Sequence, residues 1–402
     1  MTLVERHIIG PDHKFFKECD VLAFVSKNLY NQALYRVRQH YFETGDYLNY
    51  NAIQKQLQEE KQIDYVSLPA KVSQQTLKLL DQNFRSFFAA NKAYKKDPSK
   101  YKAPPKMPGY KHKTDGRFIV TYTNQAISRV LLRNGIVKLS KANISFFTKQ
   151  KDIQQVRIVP RYGHYVIEVV YDKQEKPQRS NSRVAAIDIG LNNLAAITFN
   201  FEKNPILVNG RPLKSINQFF NKKKAILMSH IGDKGTSKRI QKLSLKRNNK
   251  MNDYLHKCSR YVVDQLANQD VSTLVIGWND GIKQSINIGK KNNQNFVTIP
   301  FYKFIQQLQY KAQLEGIKVI VREESYTSKC SFLDSEPIMK QETYLGRRVK
   351  RGLFRASTGR LINSDVNGSY NIMSKEVPNT FVDGIEGVVV HPVRITPHQQ
   401  RA

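Results

Sequence analysis

Residues 184–190 read VAAIDIG, an apolar run with one carboxylate, Asp188, close to its end. Short apolar runs of this kind, bounded by turn residues, predict buried strands. Four later runs have the same character: LAAITFN (194–200), PILVNG (205–210), STLVIGW (272–278) and IKVIV (317–321). A sheet built from these strands is therefore the predicted centre of the second half of the chain.

Helical patterns lie between and after these strands. A long basic tract over residues 214–268 and a shorter stretch over 301–315 carry apolar residues at helical spacing. Gly316 stands where a helix-ending glycine is common, and a last helix begins near Asp365. Three strands followed by helix, strand, helix, strand and helix predict an α/β core with a mixed sheet.

The first part of the chain has a different pattern. Helical spacing over residues 19–42 and 73–90 predicts two helices, separated by a polar, broken stretch. The Lys- and Pro-rich segment at 92–113 cannot form regular structure. It is either a solvated loop or a surface where cations and aromatic rings contact phosphates and bases.

Residues 117–171 change to a period of two. This pattern predicts a small β-rich module, with a hairpin signal at Asn134-Gly135. The polar residues 172–182 that follow are the predicted domain boundary.

Charge is the strongest global feature. The 402 residues include 65 Lys and Arg against 33 Asp and Glu, a net charge of +32. Such an excess opposes compaction unless a polyanion neutralises it, so nucleic acid is the expected partner, with acidic lipid as the alternative. No run is long enough to cross a membrane, the N-terminus does not resemble a signal peptide, and three dispersed cysteines indicate reduced thiols. We therefore expect a cytoplasmic protein with no membrane partner.

Two carboxylates are candidates for chemistry. Phosphodiester hydrolysis with two divalent ions needs several carboxylates that converge on one point. Asp188 lies in an apolar strand, where an unpaired carboxylate is costly, although a satisfied core Asp or a turn-forming Asp before Gly190 is the alternative. Asp365 could equally be the N-cap of the last helix.

Several motifs together resemble the TnpB nucleases encoded by transposons, which are related to the compact type V CRISPR effectors. VAAIDIGLNNLAAIT (184–198) is similar to the first RuvC motif of that family and INSDVNGSYNIM (362–373) to the third. The basic helix with its HKCSRYVV run (256–263) and the YTSKC segment (326–330) resemble family segments between these motifs.

The resemblance implies an RNase H-like (RuvC) mixed-sheet nuclease domain preceded by a helical recognition lobe and a small β-barrel. The implied division is 1–18 as the start of the β-barrel (wedge) domain, 19–113 as recognition lobe, 114–180 as the rest of the barrel, 183–328 and 363–376 as RuvC domain, 329–362 as a degenerate zinc-finger-like insertion and 377–402 as tail.

The activity implied by the resemblance is RNA-guided cutting of DNA. The expected partners are a guide RNA and a double-stranded DNA target, in a prokaryotic cytoplasm near the nucleoid, with a monomer favoured. Asp188 and Asp365 would be metal ligands for Mg²⁺, or alternatively Mn²⁺. Asn367 and Asn371 match the last motif, where they brace the helix. Four residues match readers of the motif beside the target: Lys71, Gln75, Thr123 and Asn124.

One departure from the family concerns the third carboxylate. The family usually has a Glu at the end of the fourth strand, but this strand reads LVIGWNDG, with Gly277 at that place. The next strand ends in Glu323 and Glu324, and neighbouring strands lie about 4.8 Å apart, so one of these two could complete the site. We predict one direct ligand, with a slight preference for Glu324; Asp280 is a weaker candidate. A solvated acidic pair is the alternative.

The other departure concerns zinc. A structural zinc site needs four Cys or His ligands, and residues 330–365 contain Cys330 alone. We therefore expect no structural zinc. The insertion keeps its basic character, and the residues expected to face nucleic acid are Arg347, Arg348, Lys350 and Arg351.

The sequence thus favours an RNA-guided endonuclease that cuts with a two-metal RuvC site beside a short adjacent motif. Two alternatives remain. A descendant without nuclease activity would occupy DNA and repress transcription, and a transposase would join strands with a similar core.

Overall fold

The computed structural model describes residues 1–232, 235–279, 289–381 and 390–397, and it divides into two units, Met1–Lys173 and Gln174–Ala402. The division falls inside the polar stretch 172–182. Among the described residues, no helix combines the length and the apolar character that crossing a membrane requires.

The first unit begins with a strand and continues with helices. The strand is β1 (Thr2–Ile9), and the helices are α1 (Phe16–Thr44), α2 (Tyr50–Glu59), α3 (Ile63–Ser67) and α4 (Ala70–Lys96). α1 and α4 correspond to the two predicted helices, and their buried faces include Leu29 and Leu77. α2 and α3 lie in the stretch that was expected to be irregular. Only Ile53 and Leu57 of α2 are buried, too few to give a clear helical period.

The β-rich part of this unit contains one more short helix. Its elements are β2 (Val120–Thr123), α5 (Arg129–Arg133), β3 (Ile136–Lys138), β4 (Ser145–Phe147), β5 (Ile153–Arg161) and β6 (His164–Asp172). An antiparallel sheet has the order β1-β6-β5-β2, and β3 pairs with β4. The hairpin expected at Asn134-Gly135 is wrong. Asn134 instead ends α5, and Gly135 has a φ of 74°, the left-handed conformation common after a helix.

The second unit contains the predicted mixed sheet. Its elements are β7 (Val184–Asp188), β8 (Asn193–Phe199), β9 (Ile206–Asn209), α6 (Arg211–Ser229), α7 (Lys238–Asn268), β10 (Thr273–Gly277), α8 (Lys290–Thr298), α9 (Phe301–Leu314), β11 (Lys318–Arg322), β12 (Arg347–Lys350), β13 (Leu353–Arg355), β14 (Leu361–Asn363), α10 (Ser364–Glu376) and β15 (Val393–Ile395). The sheet order is β11-β10-β7-β8-β9-β15. β7, β8 and β9 are antiparallel neighbours, whereas β10 and β11 run parallel to β7. The predicted RNase H-like mixed α/β class is confirmed.

Two details differ from the sequence-based expectation. The helical tract predicted over 214–268 is two helices, α6 and α7, because the segment between them contains Gly232 and Gly235 at positive φ. The predicted tail contributes β15, whose Val393 pairs with Ile206 of β9. Three residues are too few to show a strand period in the sequence.

Strand alternation determines which side chains of the sheet face α10. Ala185 and Ile187 of β7 belong to the core packed under α7 and α9, whereas Val184 and Ala186 pack with Ile372 and Met373 of α10. Because successive side chains point to opposite faces, Asp188 follows Ala186 toward α10. Both faces of this strand are covered, which accounts for its continuous apolar run.

Candidate metal and nucleic-acid site

The Asp188 carboxyl lies at the end of β7, on the face of the sheet that α10 covers. Burial raises its pKa well above the usual range, and the carboxylates of Asp365 and Glu324 raise it further, while Arg348 lowers it. A Cβ atom added to Gly368 of α10 would lie 2.7 Å from Asp188 Oδ2. The close approach of α10 to this carboxyl therefore requires glycine at position 368.

Asp365 lies in the first turn of α10 and does not cap it. The cap is Asn363, whose Oδ1 accepts hydrogen bonds from the backbone N–H groups of Asp365 and Val366 at 3.0 and 3.2 Å. The alternative interpretation of Asp365 as an N-cap is therefore wrong, and its carboxylate remains available for another role.

Asn193, a residue that sequence reasoning missed, holds this carboxylate. Its Nδ2 donates to Asp365 Oδ2 at 2.6 Å from the start of β8. The residue is 5% exposed, and its Oδ1 accepts no hydrogen bond from the described residues. A buried oxygen without a donor, on the residue that binds the Asp365 carboxylate, favours a cation or its hydration water at this place.

Glu324 and Glu323 differ sharply in environment. Burial raises the pKa of Glu324 to about 7, with a further rise from the Glu323 carboxylate. Glu323 is exposed, and the hydrogen bond from Lys375 is the main cause that lowers its pKa to about 2. The Lys375 Nζ to Glu323 Oε2 distance is 2.6 Å. Glu323 is therefore paired at the surface, whereas Glu324 is half-buried near Asp188.

Gly277 provides the space that Glu324 occupies. A Cβ atom added at Gly277 would lie 2.8 Å from Glu324 Oε2 and 2.3 Å from Ile372 Cδ1. Asn279, two residues further, accepts a hydrogen bond from the Glu324 backbone N–H at 3.0 Å. The glycine at the usual place of the family's Glu thus coincides with a carboxyl group that comes from the next strand. Asp280 lies outside the described residues.

Asn367 and Asn371 of α10 bind the backbone of the segment after β11. Asn367 accepts from Phe332 N at 3.0 Å and donates to Cys330 O at 2.8 Å. Asn371 donates to the carbonyls of Thr327 and Cys330, both at 2.8 Å. Both asparagines fix the segment that leads from Glu324 into the insertion.

The donor atoms fit a hard divalent cation. Asp188, Asp365 and Glu324 offer carboxylate oxygens, and Asn193 offers an amide oxygen, the ligand types that Mg²⁺ and Mn²⁺ prefer. Among the described residues, no group of three or more His, Cys, Asp and Glu side chains is already arranged to hold a metal ion. The pKa values of Asp188 and Glu324 are raised, and a bound cation would lower both.

Polar contacts of another kind support the insertion at 329–362. Glu336 accepts from the backbone N–H groups of Ser331 and Leu345 at 2.6 and 2.9 Å. Phe332 stacks on Tyr370 with ring centres 4.5 Å apart. Cys330 is buried, and its thiol donates to Pro337 O at 3.4 Å. Glu336 therefore joins the two loops of the insertion that contain Ser331 and Leu345.

We expect the purified protein, prepared without chelator, to contain well under one zinc per chain, because backbone and carboxylate contacts hold the insertion. Elemental analysis by mass spectrometry measures this directly. A stoichiometric zinc would contradict this account of the insertion and would require ligands for Cys330 that these contacts do not include.

The β12–β14 sheet of the insertion has one buried and one exposed face. Across the strands, Arg348 of β12 lies opposite Phe354 of β13, and Phe354 lies opposite Ile362 of β14. Phe354 and Ile362 are buried. Arg348 thus shares the face that packs toward α10, in agreement with its effect on Asp188. The Arg348 side chain is nevertheless exposed, as are Arg347 and Lys350 on β12 and Arg351 in the turn after it.

The residues predicted to read an adjacent motif come together in the first unit. α4, which carries Lys71 and Gln75, packs against β2, which ends at Thr123. Lys71 and Asn124 are exposed, and Thr123 Oγ1 is buried with no hydrogen-bond partner among the described residues. The structure therefore places Lys71 and Gln75 on α4, Thr123 at the end of β2, and Asn124 at the start of the short 3-10 helix that follows it.

Comparisons with known proteins agree with the geometry. A family model described as "Probable transposase" (OrfB_IS605) matches residues 164–283, and one described as "Cas12f1-like, TNB domain" matches residues 301–372. A TnpB-like protein of Acidianus two-tailed virus, ORF457, is 24% identical over 93% of this chain and 84% of its own length. The Cas12f2 CRISPR-associated endodeoxyribonuclease of a Micrarchaeota archaeon is 27% identical over 54% of this chain and spans only 41% of that relative.

The fold has a solved counterpart. The structure titled as a Cas12f1-sgRNA-target DNA complex covers 89% of this chain and 82% of its own chain, with a TM-score of 0.52 and 14% identity. At this identity the likeness concerns the fold. The two domain models and the TnpB-like relative confirm the resemblance that the RuvC-like motifs carry: residues 164–283 and 301–372 are similar to domains of TnpB and Cas12f proteins.

Proposed function

We propose that the chain is an RNA-guided DNA endonuclease of transposon origin, which cuts DNA beside a short motif through a two-metal RuvC site. The observation that carries this proposal is the half-buried Glu324 carboxyl beside Gly277, near Asp188. This carboxyl would take the place of the third carboxylate, because the chain has Gly277 where the family usually has a Glu. The name of the Cas12f2 relative and the guide RNA and target DNA in the Cas12f1 structure title support the activity and the partners.

Asp188, Asp365 and Glu324 would hold Mg²⁺, or alternatively Mn²⁺. Two such ions, when bound, activate water and stabilise the leaving oxygen of a phosphodiester. Asn193 fixes the orientation of the Asp365 carboxylate, and Asn279 fixes the backbone at Glu324. Ligands held by such contacts need less reorganisation on binding, which strengthens metal affinity.

Specificity would come from two sources. Base pairing with a guide RNA would select the target, while the protein reads a short flanking element. Lys71, Gln75, Thr123 and Asn124 are the proposed readers, because α4 packs against β2 and against the short 3-10 helix that begins at Asn124. The buried Thr123 hydroxyl has no partner, which favours a ligand group there.

The basic insertion would bind the strand that enters the site. Arg347, Lys350 and Arg351 are exposed, and Arg348 lies close enough to lower the pKa of Asp188. The Arg348 guanidinium would counter the negative charge both of the carboxylates and of a scissile phosphate. The insertion thus combines the charge of a nucleic-acid surface with a direct influence on the carboxylate centre.

Two other functions fit part of the observations. A nuclease-inactive repressor would fit the Gly at position 277, and a transposase would fit the description of the OrfB_IS605 model. Absence of cutting by a loaded protein would favour the repressor. Joined rather than broken strands in the product would favour the transposase.

The protein purified at low salt is expected to carry a discrete structured RNA, because a net charge of +32 requires a polyanion. Sequencing the copurified RNA tests this and identifies the guide. A nucleic-acid-free, monodisperse preparation that cuts DNA with no RNA added would show the guided mechanism to be wrong.

A further inference from the structure

An apolar groove lies between α6 and α7, apart from the carboxylates. It encloses about 260 Å³, and its walls include Ile216, Phe219 and Phe220 of α6 and Leu243 of α7. Phe219 is 59% exposed, a large fraction for an aromatic ring on a packed helix. The groove therefore presents a flat apolar ring to solvent at the mouth of a cavity.

Arg247 fixes the floor of this groove. Its Nε donates to Asn217 Oδ1 at 2.9 Å and its Nη2 to Thr298 O at 2.7 Å. Its guanidinium lies 5.7 Å from the centre of the Phe220 ring. These contacts join α6, α7 and the end of α8, so the shape of the groove is set before any ligand binds.

The rim of the groove is cationic. Lys246 and Lys250 line it, are exposed, and lie one helical turn apart on the same face of α7. The surrounding segment 211–250 has twelve Lys and Arg and one acidic residue, Asp233. An apolar ring flanked by cations is the combination that binds unpaired nucleotides, by stacking and by phosphate contact.

The start of α6 connects this groove to the carboxylate centre. Gly210 donates its backbone N–H to Asn192 O at 2.8 Å, and Lys214 donates to Asn192 Oδ1 at 3.0 Å. Asn192 belongs to the turn between Asp188 and Asn193. Phe219 lies eight residues into α6, or about 12 Å along its axis. A single strand at the carboxylates can therefore reach the groove.

We infer that this groove binds one unpaired base of the DNA strand that passes through the carboxylate centre, stacked on Phe219, with its phosphates on Lys246 and Lys250. The choice of DNA rests on the proposed function, since the strand within reach is the one to be cut. The groove would hold that strand in register while the adjoining phosphodiester lies at Asp188.

The test uses the full chain with its copurified RNA, in EDTA, and a short oligothymidine that carries one 2-aminopurine. Stacking quenches the fluorescence of this base. The parent should quench it, and Phe219→Ala should lose the quenching and weaken binding roughly 5- to 100-fold, the range for one base–aromatic stack. The double variant Lys246→Gln/Lys250→Gln should bind the oligonucleotide more weakly, and its affinity should depend less on the salt concentration.

Tyr302→Ala is the matched control, because Tyr302 is 58% exposed on α9 of the same unit and lies outside the groove. Equal effects of Phe219→Ala and Tyr302→Ala would overturn the inference. Stronger quenching of the same sequence as RNA would overturn the choice of DNA. Absence of quenching by the parent would also overturn the inference, and it would favour an apolar side chain of a protein partner as the occupant of the groove.

Since EDTA prevents cutting, these outcomes do not depend on nuclease activity. A parent that quenches but never cuts would contradict the proposed function and keep the groove. A parent that cuts without quenching would do the opposite.

Discussion

We expect Asp188→Asn and Asp365→Asn each to lower the rate of target cutting by about 100-fold or more, while the affinities for RNA and DNA change little. Each substitution removes a charged metal ligand that phosphate contacts elsewhere cannot replace. The near isosteric amide preserves the packing of Asp188 under Gly368. Single-turnover cutting of a matched target and a separate binding assay measure the two quantities.

Asn363→Ala is the control for Asp365. It removes the cap of α10, which costs about 1 kcal/mol of stability, and leaves the Asp365 carboxylate in place. Cutting should survive in this variant and fail in Asp365→Asn. If Asp365→Asn kept more than about 1% of parental cutting, a role as metal ligand would be withdrawn.

Glu324→Gln and Glu323→Gln form a matched pair with a second large expected difference. Glu324→Gln should reduce Mg²⁺-dependent cutting by about 100-fold or more, because it removes the third carboxylate. Glu323→Gln should cut like the parent, since Glu323 is paired with Lys375 at the surface. Both variants should still bind DNA. The affinity for Mn²⁺, measured on the protein–RNA complex without target DNA, should fall only for Glu324→Gln.

Gly277→Ala extends this comparison. Its Cβ would meet Glu324 Oε2 and Ile372 Cδ1, so it should displace the Glu324 carboxyl without removing it. Loss of cutting in both Gly277→Ala and Glu324→Gln supports the rebuilt site. Parental cutting by both Glu324→Gln and Glu323→Gln would refute it, and a loss confined to Glu323→Gln would transfer the role to that residue.

The strands and the principal carboxylates could be predicted from the sequence because their signals are local. The apolar run VAAIDIG indicates a buried strand, and burial of its single carboxylate without a partner costs free energy. The choice between Glu323 and Glu324 could not be made, since both faces of β11 were expected to be covered. It depends on Lys375 and Gly277, which lie 52 and 47 residues away along the chain.

Other features depend on contacts that no local pattern encodes. Asn193 looks like an ordinary polar residue at the start of a strand, and only its 2.6 Å hydrogen bond to Asp365, 172 residues later, gives it a role. The same holds for Asn279 and the backbone of Glu324. The helices α2 and α3 and the strand β15 were missed because each buries too few apolar residues to show a period.

Programmed cutting tests the central claim most directly. The protein is loaded with its copurified RNA carrying a chosen guide and is mixed with plasmids that hold the matched or an unmatched target. The account predicts that the matched plasmid alone is cut, only with both RNA and a divalent cation present, and not by Asp188→Asn. Binding of the matched plasmid without any cutting by the parent, or cutting that ignores the guide, would contradict it.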